Sequence, residues 1–122
     1  MDLPERLGEA LEAKTAPQAV IVDSIDVWIA NLLLEHEKKD QQDLEQRVLC
    51  ATGRLLDLVG KSTAAAFLVS AEVGLTLVPA EPLGRRFQDL LGLVNQRIAQ
   101  AAGRVTLVVA GLPVIIKDVA AP

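Results

Sequence analysis

Several residue types are scarce in this chain of 122 residues, and each scarcity excludes a class of protein. Aromatic residues make up only 2% of the chain, so the core is expected to consist of aliphatic side chains. The single cysteine, Cys50, excludes an internal disulfide and fits a reducing compartment. The net charge of −4 disfavours binding to nucleic acid or to an anionic membrane surface. No signal peptide is recognisable, and no apolar run approaches the roughly 20 residues of a membrane span. We therefore expect one cytoplasmic domain over residues 1–122.

A glycine-rich phosphate-binding loop is also missing from these residues. The segment Gly60-Lys61-Ser62-Thr63 resembles the end of such a loop, but the motif needs a second glycine at position 55, which is Leu55. The motif also needs a strand before it and a helix after it, whereas here a predicted helix precedes and a predicted strand follows. We interpret the segment as a helix end, with Gly60 as the C-cap. The only histidine, His36, has no nucleophile-and-base arrangement near it in sequence and is interpreted as a surface residue.

The first half of the chain shows the periodicity of helices around one short strand. Leucines spaced by four predict an amphipathic helix from Leu3 to Lys14, which Pro17 ends. The apolar run from Ala19 to Val22 predicts a strand that ends on Asp23. From Ile25 to Gly60 the pattern is helical, with a break near Lys39.

The second half predicts a strand, a polar loop, a helix and another strand. Residues 64–69 are continuously apolar, as in a strand that is covered on both faces. A loop with Glu72 follows, then a helix that begins at Pro82 and ends at Gly103, and then the apolar run of residues 105–110. This order predicts a βαβ unit. Because ligands bind beyond the carboxyl ends of parallel strands, Glu72 and the residues after Ala110 are expected near the chemistry.

The motifs in these segments resemble a known family. The sequences E-V-G, V-P, P-L-G-R-R-F-x-D-L-L-G-x-x-N-Q-R and V-A-G-L-P, between Glu72 and Pro113, are similar to the C-terminal part of the bifunctional adenosylcobinamide kinase / adenosylcobinamide-phosphate guanylyltransferase family of cobalamin biosynthesis. Residues 20–33 resemble its Walker B strand and the helix after it. Ser24, Asp26 and Thr76 depart from the usual pattern. The resemblance covers roughly the last hundred residues. It implies an α/β fold, a partial P-loop NTPase (RecA-like) domain whose mostly parallel sheet of about three strands is flanked by helices.

The resemblance also implies roles for individual residues. Asp23 would organise Mg²⁺ through water and help to bind the nucleotide, GTP or ATP; the alternative is that it caps the following helix. Glu72 would orient metal-bound water or a hydroxyl of adenosylcobinamide, or else be a buried structural carboxylate. Arg85 and Arg86 would bind phosphate, or else be exposed helix arginines. Gly111 and Pro113 would shape a loop at the ligand edge of the sheet.

Two features of the family are not found in this sequence. Its phosphate loop and its guanylylated histidine both lie upstream of the Walker B strand, whereas His36 lies downstream and does not match. The chain begins as if the first third of the family had been removed, and the absent first strand would leave an unpaired sheet edge beside the Walker B strand. We expect a homo-oligomer or a complex with a chain that carries the phosphate loop. The function is then either that of the family enzyme, or of half of it, or that of an inactive remnant or scaffold subunit.

Overall fold

The computed structural model describes residues 2–13, 15, 18–38 and 40–119, which contain both helices and strands. The elements are α1 (Leu3–Leu11), β1 (Ala19–Asp23), α2 (Ile25–Glu35), α3 (Gln41–Lys61), β2 (Ala65–Val69), α4 (Pro82–Ala101), β3 (Arg104–Val109) and β4 (Leu112–Asp118). The mixed α/β class predicted from the sequence is confirmed. Lys14, Pro17 and Lys39, where a helix end, a breaker and a break were predicted, lie outside the described residues.

Side chains cap the first turns of two helices, α1 and α3. Asp2 caps α1 by accepting a hydrogen bond from the Leu3 amide at 2.8 Å, and Asp40 caps α3 through the Gln42 amide at 3.2 Å. Pro82 occupies the first turn of α4, as predicted. The prediction that Gly60 is the C-cap of α3 is wrong, because the helix continues to Lys61 and Ser62 is the capping residue.

The core lies between the four helices and one face of β1 and β2. Aliphatic side chains from α2, α3 and α4 fill its centre, and the fully buried ones are Ile25, Ile29, Val48, Leu55, Leu91 and Val94. Val20 and Leu68 from the two strands pack against this cluster. Of the chain's two Phe and one Trp, Trp28 lies in the buried core, Phe87 packs against it and Phe67 is exposed, which agrees with a mainly aliphatic core. Among the described helices, none is long and apolar enough to span a membrane.

The strands form two small sheets in place of the predicted sheet of about three strands. Strands β1 and β2 pair in parallel, from Ala19 opposite Ala65 to Asp23 opposite Val69. Strand β3 pairs antiparallel with β4, and no strand pairing among the described residues joins the two sheets. The predicted strand–loop–helix–strand order is present, but β3 does not extend the parallel sheet. Strand β4 follows β3 after a turn of only two residues, so the entropic cost of closing the loop between them is small. This low cost favours the hairpin over pairing with a distant strand.

The hairpin turn corrects the prediction for Gly111 and Pro113. Ala110 and Gly111 have φ angles of 50° and 77°, the left-handed values that a tight hairpin turn requires at its two central residues. Gly111 therefore reverses the chain between β3 and β4, and Pro113 lies inside β4. Neither residue follows the last strand, and neither shapes a loop at the carboxyl edge of the parallel sheet.

Only one face of the parallel sheet is covered. Ile21 on β1 and Phe67 on β2 are register partners, and their side chains are 71% and 56% exposed. The prediction that residues 64–69 form a strand covered on both faces is therefore wrong for the described residues. The continuous apolar run did indicate a strand with two apolar faces, but the helices of this chain cover one of them.

Candidate functional site

The carboxyl edge of the parallel sheet brings Asp23 next to the start of the loop of residues 70–81. Asp23 is the last residue of β1, and its register partner Val69 is the last residue of β2. The Asp23 residue is exposed. The alternative that Asp23 caps α2 is wrong, because Ser24 occupies the N-cap position. The carboxylate is thus available at the edge where open parallel sheets bind ligands.

An open groove of about 690 Å³ runs along β1 between α1 and α2. Its floor is apolar, with Val20, Ile21 and Val22 from β1. One wall is fixed by Trp28, which is buried and whose indole N–H donates a hydrogen bond of 2.7 Å to Asp2 Oδ1. Because the same oxygen caps α1, one carboxylate both starts α1 and joins it to α2.

The groove holds polar side chains for which the sequence suggested no role. They are Asp2, Arg6, Asn31, Glu35 and His36, in addition to Asp23 and Ser24. His36, which was predicted to lie on the surface, is partly buried, and its Nδ1 is buried without a hydrogen-bond partner among the described residues. Asp23 precedes α2 and His36 follows it, so the 11 residues of that helix separate them by about 16 Å. The two side chains therefore cannot act on the same atom. Asn31 lies within residues 20–33, the segment that resembles the family. That resemblance could have indicated Asn31 as a residue of the groove.

Glu72 lies in the loop that follows β2 and shapes that loop. Its Oε1 accepts a hydrogen bond from the Gly74 amide at 2.6 Å. A Cβ at position 74 would lie 2.9 Å from the same oxygen, so the turn needs glycine while the carboxylate stays in this position. Glu72 is exposed, and the alternative of a buried structural carboxylate is wrong. One carboxylate oxygen is used by the turn, and the other has no hydrogen-bond partner among the described residues.

The two arginines contact different parts of the chain. Arg85 Nη1 donates hydrogen bonds to the carbonyls of Pro79 at 3.2 Å and Ala80 at 2.7 Å, which fixes the end of the loop. Arg86 Nη1 is 3.4 Å from the carbonyl of Glu37, after α2, and its Nη2 is buried without a partner. Within the described residues, no ion pair joins either arginine to Asp23 or Glu72. The predicted site residues therefore lie in two places. Asp23 lies in the groove, whereas Glu72 lies in the loop of residues 70–81 and Arg85 and Arg86 lie on α4.

The side chains at the carboxyl edge suit a metal ion that is bound together with a nucleotide. They suit less well a metal ion whose ligands all come from the protein. Among the described residues, no group of three or more His, Cys, Asp or Glu side chains could hold a metal ion. Mg²⁺ commonly keeps several water ligands and is held by one or two carboxylates together with substrate phosphates. Asp23, a single exposed carboxylate at a strand end, fits that mode of binding.

Comparison with known proteins agrees with the motifs. Residues 1–116 match the family described as cobinamide kinase / cobinamide phosphate guanyltransferase. The bifunctional adenosylcobalamin biosynthesis protein CobU of Escherichia coli (strain K12) is 33% identical over 120 residues, 93% of this chain and 66% of that protein. The protein CobP of Pseudomonas aeruginosa is 36% identical over 118 residues, 96% of this chain and 64% of that protein. CobU of Salmonella typhimurium is 35% identical over 118 residues, 91% of this chain and 65% of that protein.

These matches cover nearly all of the chain, although the chain spans about two thirds of the length of the relatives. The matched residues include both parts of the site, from the Asp23 strand end to the loop and α4. The chain therefore belongs to the cobinamide kinase / cobinamide phosphate guanyltransferase family.

Proposed function

We propose that this chain is part of an enzyme that phosphorylates adenosylcobinamide with ATP or GTP and transfers GMP from GTP to the product. The phosphate loop that such chemistry needs would come from a polypeptide segment outside these 122 residues. The observation that supports this proposal is the family match over residues 1–116, combined with an exposed Asp23 at the carboxyl edge of parallel strands.

Asp23 and Glu72 would have separate tasks in this reaction. Asp23 would accept hydrogen bonds from water molecules on the Mg²⁺ of the nucleotide and so fix the position of the phosphates. Bound Mg²⁺ would neutralise charge on the phosphate oxygens during transfer. Glu72, through the carboxylate oxygen that does not bind Gly74, would orient the substrate hydroxyl.

Arg85 and Arg86 have different prospects as phosphate ligands. Arg85 already donates two hydrogen bonds to loop carbonyls through Nη1, which leaves its other N–H groups for a phosphate oxygen. Arg86 directs its Nη1 to the Glu37 carbonyl, just after α2, and its Nη2 is buried without a hydrogen-bond partner among the described residues. We therefore propose Arg85 as the phosphate ligand of the pair and a structural role for Arg86.

A partner polypeptide would also complete the sheet. The Ala65 amide donates a hydrogen bond to the Gln18 carbonyl, so the backbone groups of residue 18 face β2. Successive residues of a strand direct their N–H and C=O groups to opposite sides. The backbone groups of Ala19, Ile21 and Asp23 therefore face away from β2. That outer edge has no strand partner among the described residues. The exposed Ile21 and Phe67 add an apolar face beside it. An unpaired edge next to exposed apolar side chains favours association, either as a homo-oligomer or with a chain that supplies the phosphate loop.

The test is calorimetric binding of Mg-GTP and Mg-ATP to the purified chain. The Asp23→Asn variant removes the proposed Mg²⁺ contact, and Asp57→Asn on the exposed side of α3 is the matched control for loss of one negative charge. We expect binding to the unmodified chain and to the control, and weaker binding to Asp23→Asn. Equal binding by all three proteins would exclude the role proposed for Asp23.

The second candidate function is an inactive remnant or a scaffold subunit. The observation that favours it is that none of the 122 residues forms a glycine-rich phosphate loop. The position of Gly60 and Lys61 in the last turn of α3, with β2 after them, supports the interpretation that this segment is not such a loop. A scaffold subunit would bind its partner without contributing to nucleotide affinity, so the calorimetric comparison distinguishes the two candidates.

A further inference from the structure

We propose that the outer edge of β3, the edge away from β4, pairs with a strand from another polypeptide segment. That segment is the one that carries the phosphate loop, so the inference relies on the proposed function and names where this partner binds. The edge is distinct from the outer edge of β1, because β3 belongs to the separate hairpin sheet. Among the described residues β3 pairs only with β4, so its other edge is open.

The hairpin turn determines which backbone groups of β3 reach that edge. A two-residue turn makes Val109 and its register partner Leu112 a hydrogen-bonded pair, and such pairs then alternate along an antiparallel ladder. The Val119 amide donates to the Gly103 carbonyl at 2.9 Å, as this alternation requires at the other end of the hairpin. Three residues of β3 therefore direct their backbone groups away from β4, at regular two-residue steps: Arg104, Thr106 and Val108.

The opposite edge of the hairpin, on β4, is blunted. Pro113 is the register partner of Val108, so its backbone also faces outward, and it has no N–H to donate there. The register shift between Val105 and Thr106 leaves Ile116 as an extra residue of β4, which interrupts the spacing of the backbone groups. Proline and bulges are two means by which natural sheets prevent an edge from pairing. The hairpin therefore has one protected edge and one regular edge, which is on β3.

The side chains along β3 also permit pairing. Charged side chains are a further means of protecting an edge strand, yet no charged residue occurs between Arg104 and Lys117. Val108 and Val109 are 65% and 54% exposed, so a neighbouring strand would bury aliphatic surface there. A two-stranded hairpin is marginally stable, and a third strand makes such a sheet more stable. An uncharged strand rich in β-branched residues suits this edge.

The length of the relatives and the architecture of phosphate loops indicate the source of that strand. The chain spans 64% to 66% of the three relatives, so roughly a third of each has no counterpart here. A phosphate loop of the nucleotide-binding kind follows a strand and opens a helix. The segment that supplies the loop must therefore also bring a strand, whose backbone groups need partners. The regular edge of β3 provides N–H and C=O groups for it.

The experiment is amide hydrogen exchange, followed by nuclear magnetic resonance of the isotope-labelled chain. The chain is measured alone and in complex with the part of the Escherichia coli relative that has no counterpart in it, produced together with the chain. We expect the amides of Thr106 and Val108 to exchange at least about tenfold more slowly in the complex. The amide of Ile115, which faces outward on β4, is the internal control and should exchange at the same rate in both samples.

A matched pair of proline variants tests the same edge. Val108→Pro and Ile115→Pro each remove an N–H that faces away from the other strand of the hairpin, on β3 and on β4 respectively. We expect Val108→Pro to bind the segment about tenfold more weakly, and Ile115→Pro to bind it like the unmodified chain. Slow exchange of the Leu107 and Val109 amides, which face β4, shows that both variants retain the hairpin.

Four results would overturn the inference. They are the absence of a complex, a complex in which the Thr106 and Val108 amides exchange as in the chain alone, equal weakening of binding by the two proline variants, and protection of these amides in the chain alone that rises with its concentration. The last would show that the edge pairs with a second copy of the chain.

Mg-nucleotide binding is a separate readout that tests the proposed function. Nucleotide binding that does not depend on Asp23 would contradict the proposed function. An active complex without protection of the β3 amides would contradict only the pairing proposed here.

Discussion

At the scale of single residues, several polar side chains make hydrogen bonds within the chain that the sequence did not predict. Asp2 accepts hydrogen bonds from both the Leu3 amide and the Trp28 indole. Glu72 and Arg85 were expected from their motifs to face substrate, yet both also fix the loop of residues 70–81. Their motif identified them, but their partners depend on how the loop folds onto α4. Spacing along the chain contains no information about that contact.

Replacement of Asp2 by Ala should destabilise the chain. The variant loses the cap of α1 and leaves the buried Trp28 N–H without an acceptor, so we expect a decrease of about 1 to 3 kcal/mol in the free energy of unfolding. Asp2→Asn retains an acceptor oxygen and should lose less. Urea denaturation followed by the fluorescence of Trp28, the only tryptophan, measures both. Equal losses in the two variants would show that the negative charge, and not the acceptor, is what matters.

Two glycines in α4 should respond to alanine in opposite ways. At Gly84 a new Cβ would lie 2.9 Å from Pro79 Cβ, and the proline ring has little freedom to move, so Gly84→Ala should destabilise the fold by about 1 kcal/mol. At Gly92 nothing lies within 4 Å, and Gly92→Ala should stabilise the helix by up to about 1 kcal/mol. Urea denaturation of both variants tests the pair. A gain in stability at Gly84 would show that the loop does not pack against α4 as described.

At the scale of elements, the helices were predictable and the sheets were not. Apolar residues at three- and four-residue steps depend on the geometry of one helix alone, so α1 to α4 follow from the sequence to within a few residues. The apolar runs of β1, β2 and β3 were also recognised. Their pairing depends on contacts between distant segments, and the turn at Ala110 and Gly111 directs β3 to β4. The sequence therefore indicated β1, β2 and β3 but not the sheet to which each belongs, and β4 was not predicted, because Gly111 and Pro113 were assigned to a loop after the last strand.

Helix α4 should control the order of the loop. Gln88 donates to both the Val73 carbonyl at 2.7 Å and the Thr76 hydroxyl at 3.2 Å, so Gln88→Ala should release the middle of the loop. Hydrogen exchange of the amides of residues 72–78 should become faster. Gln96→Ala, at an exposed position on the same helix, is the control and should leave these amides unchanged. Unchanged exchange in Gln88→Ala would show that α4 does not hold the loop.

At the scale of the whole molecule, the described residues leave many large apolar side chains exposed. The parallel sheet exposes Ile21 and Phe67. On the hairpin, exposed aliphatic side chains come from both strands, and they are Val108, Val109, Leu112, Val114, Ile115 and Ile116. A two-stranded hairpin is marginally stable by itself, and apolar surface of this extent favours a partner. The relatives are longer than this chain, which spans 64% to 66% of their length.

Light scattering should show this chain as an oligomer when it is purified alone. Association would cover the exposed apolar side chains and the outer edge of β1, since both are unfavourable in water. An Ile21→Lys variant places a charge on the exposed face at that edge and should shift the population towards monomer. The control is Leu34→Lys, at a 59% exposed position on α2. A monodisperse, stable monomer of the unmodified chain would contradict this prediction.

The central claim, that this chain supplies one part of a cobinamide kinase and guanylyltransferase, is tested most directly by reconstitution. The part of the Escherichia coli relative that has no counterpart in this chain is produced as a separate polypeptide, mixed with the chain, and supplied with Mg-GTP and adenosylcobinamide. We predict that phosphorylated adenosylcobinamide forms only in the mixture, and that Asp23→Asn reduces its rate by about a hundredfold or more. A mixture that forms a stable complex but no product, or one that is equally active with Asp23→Asn, would contradict the claim and favour a scaffold role.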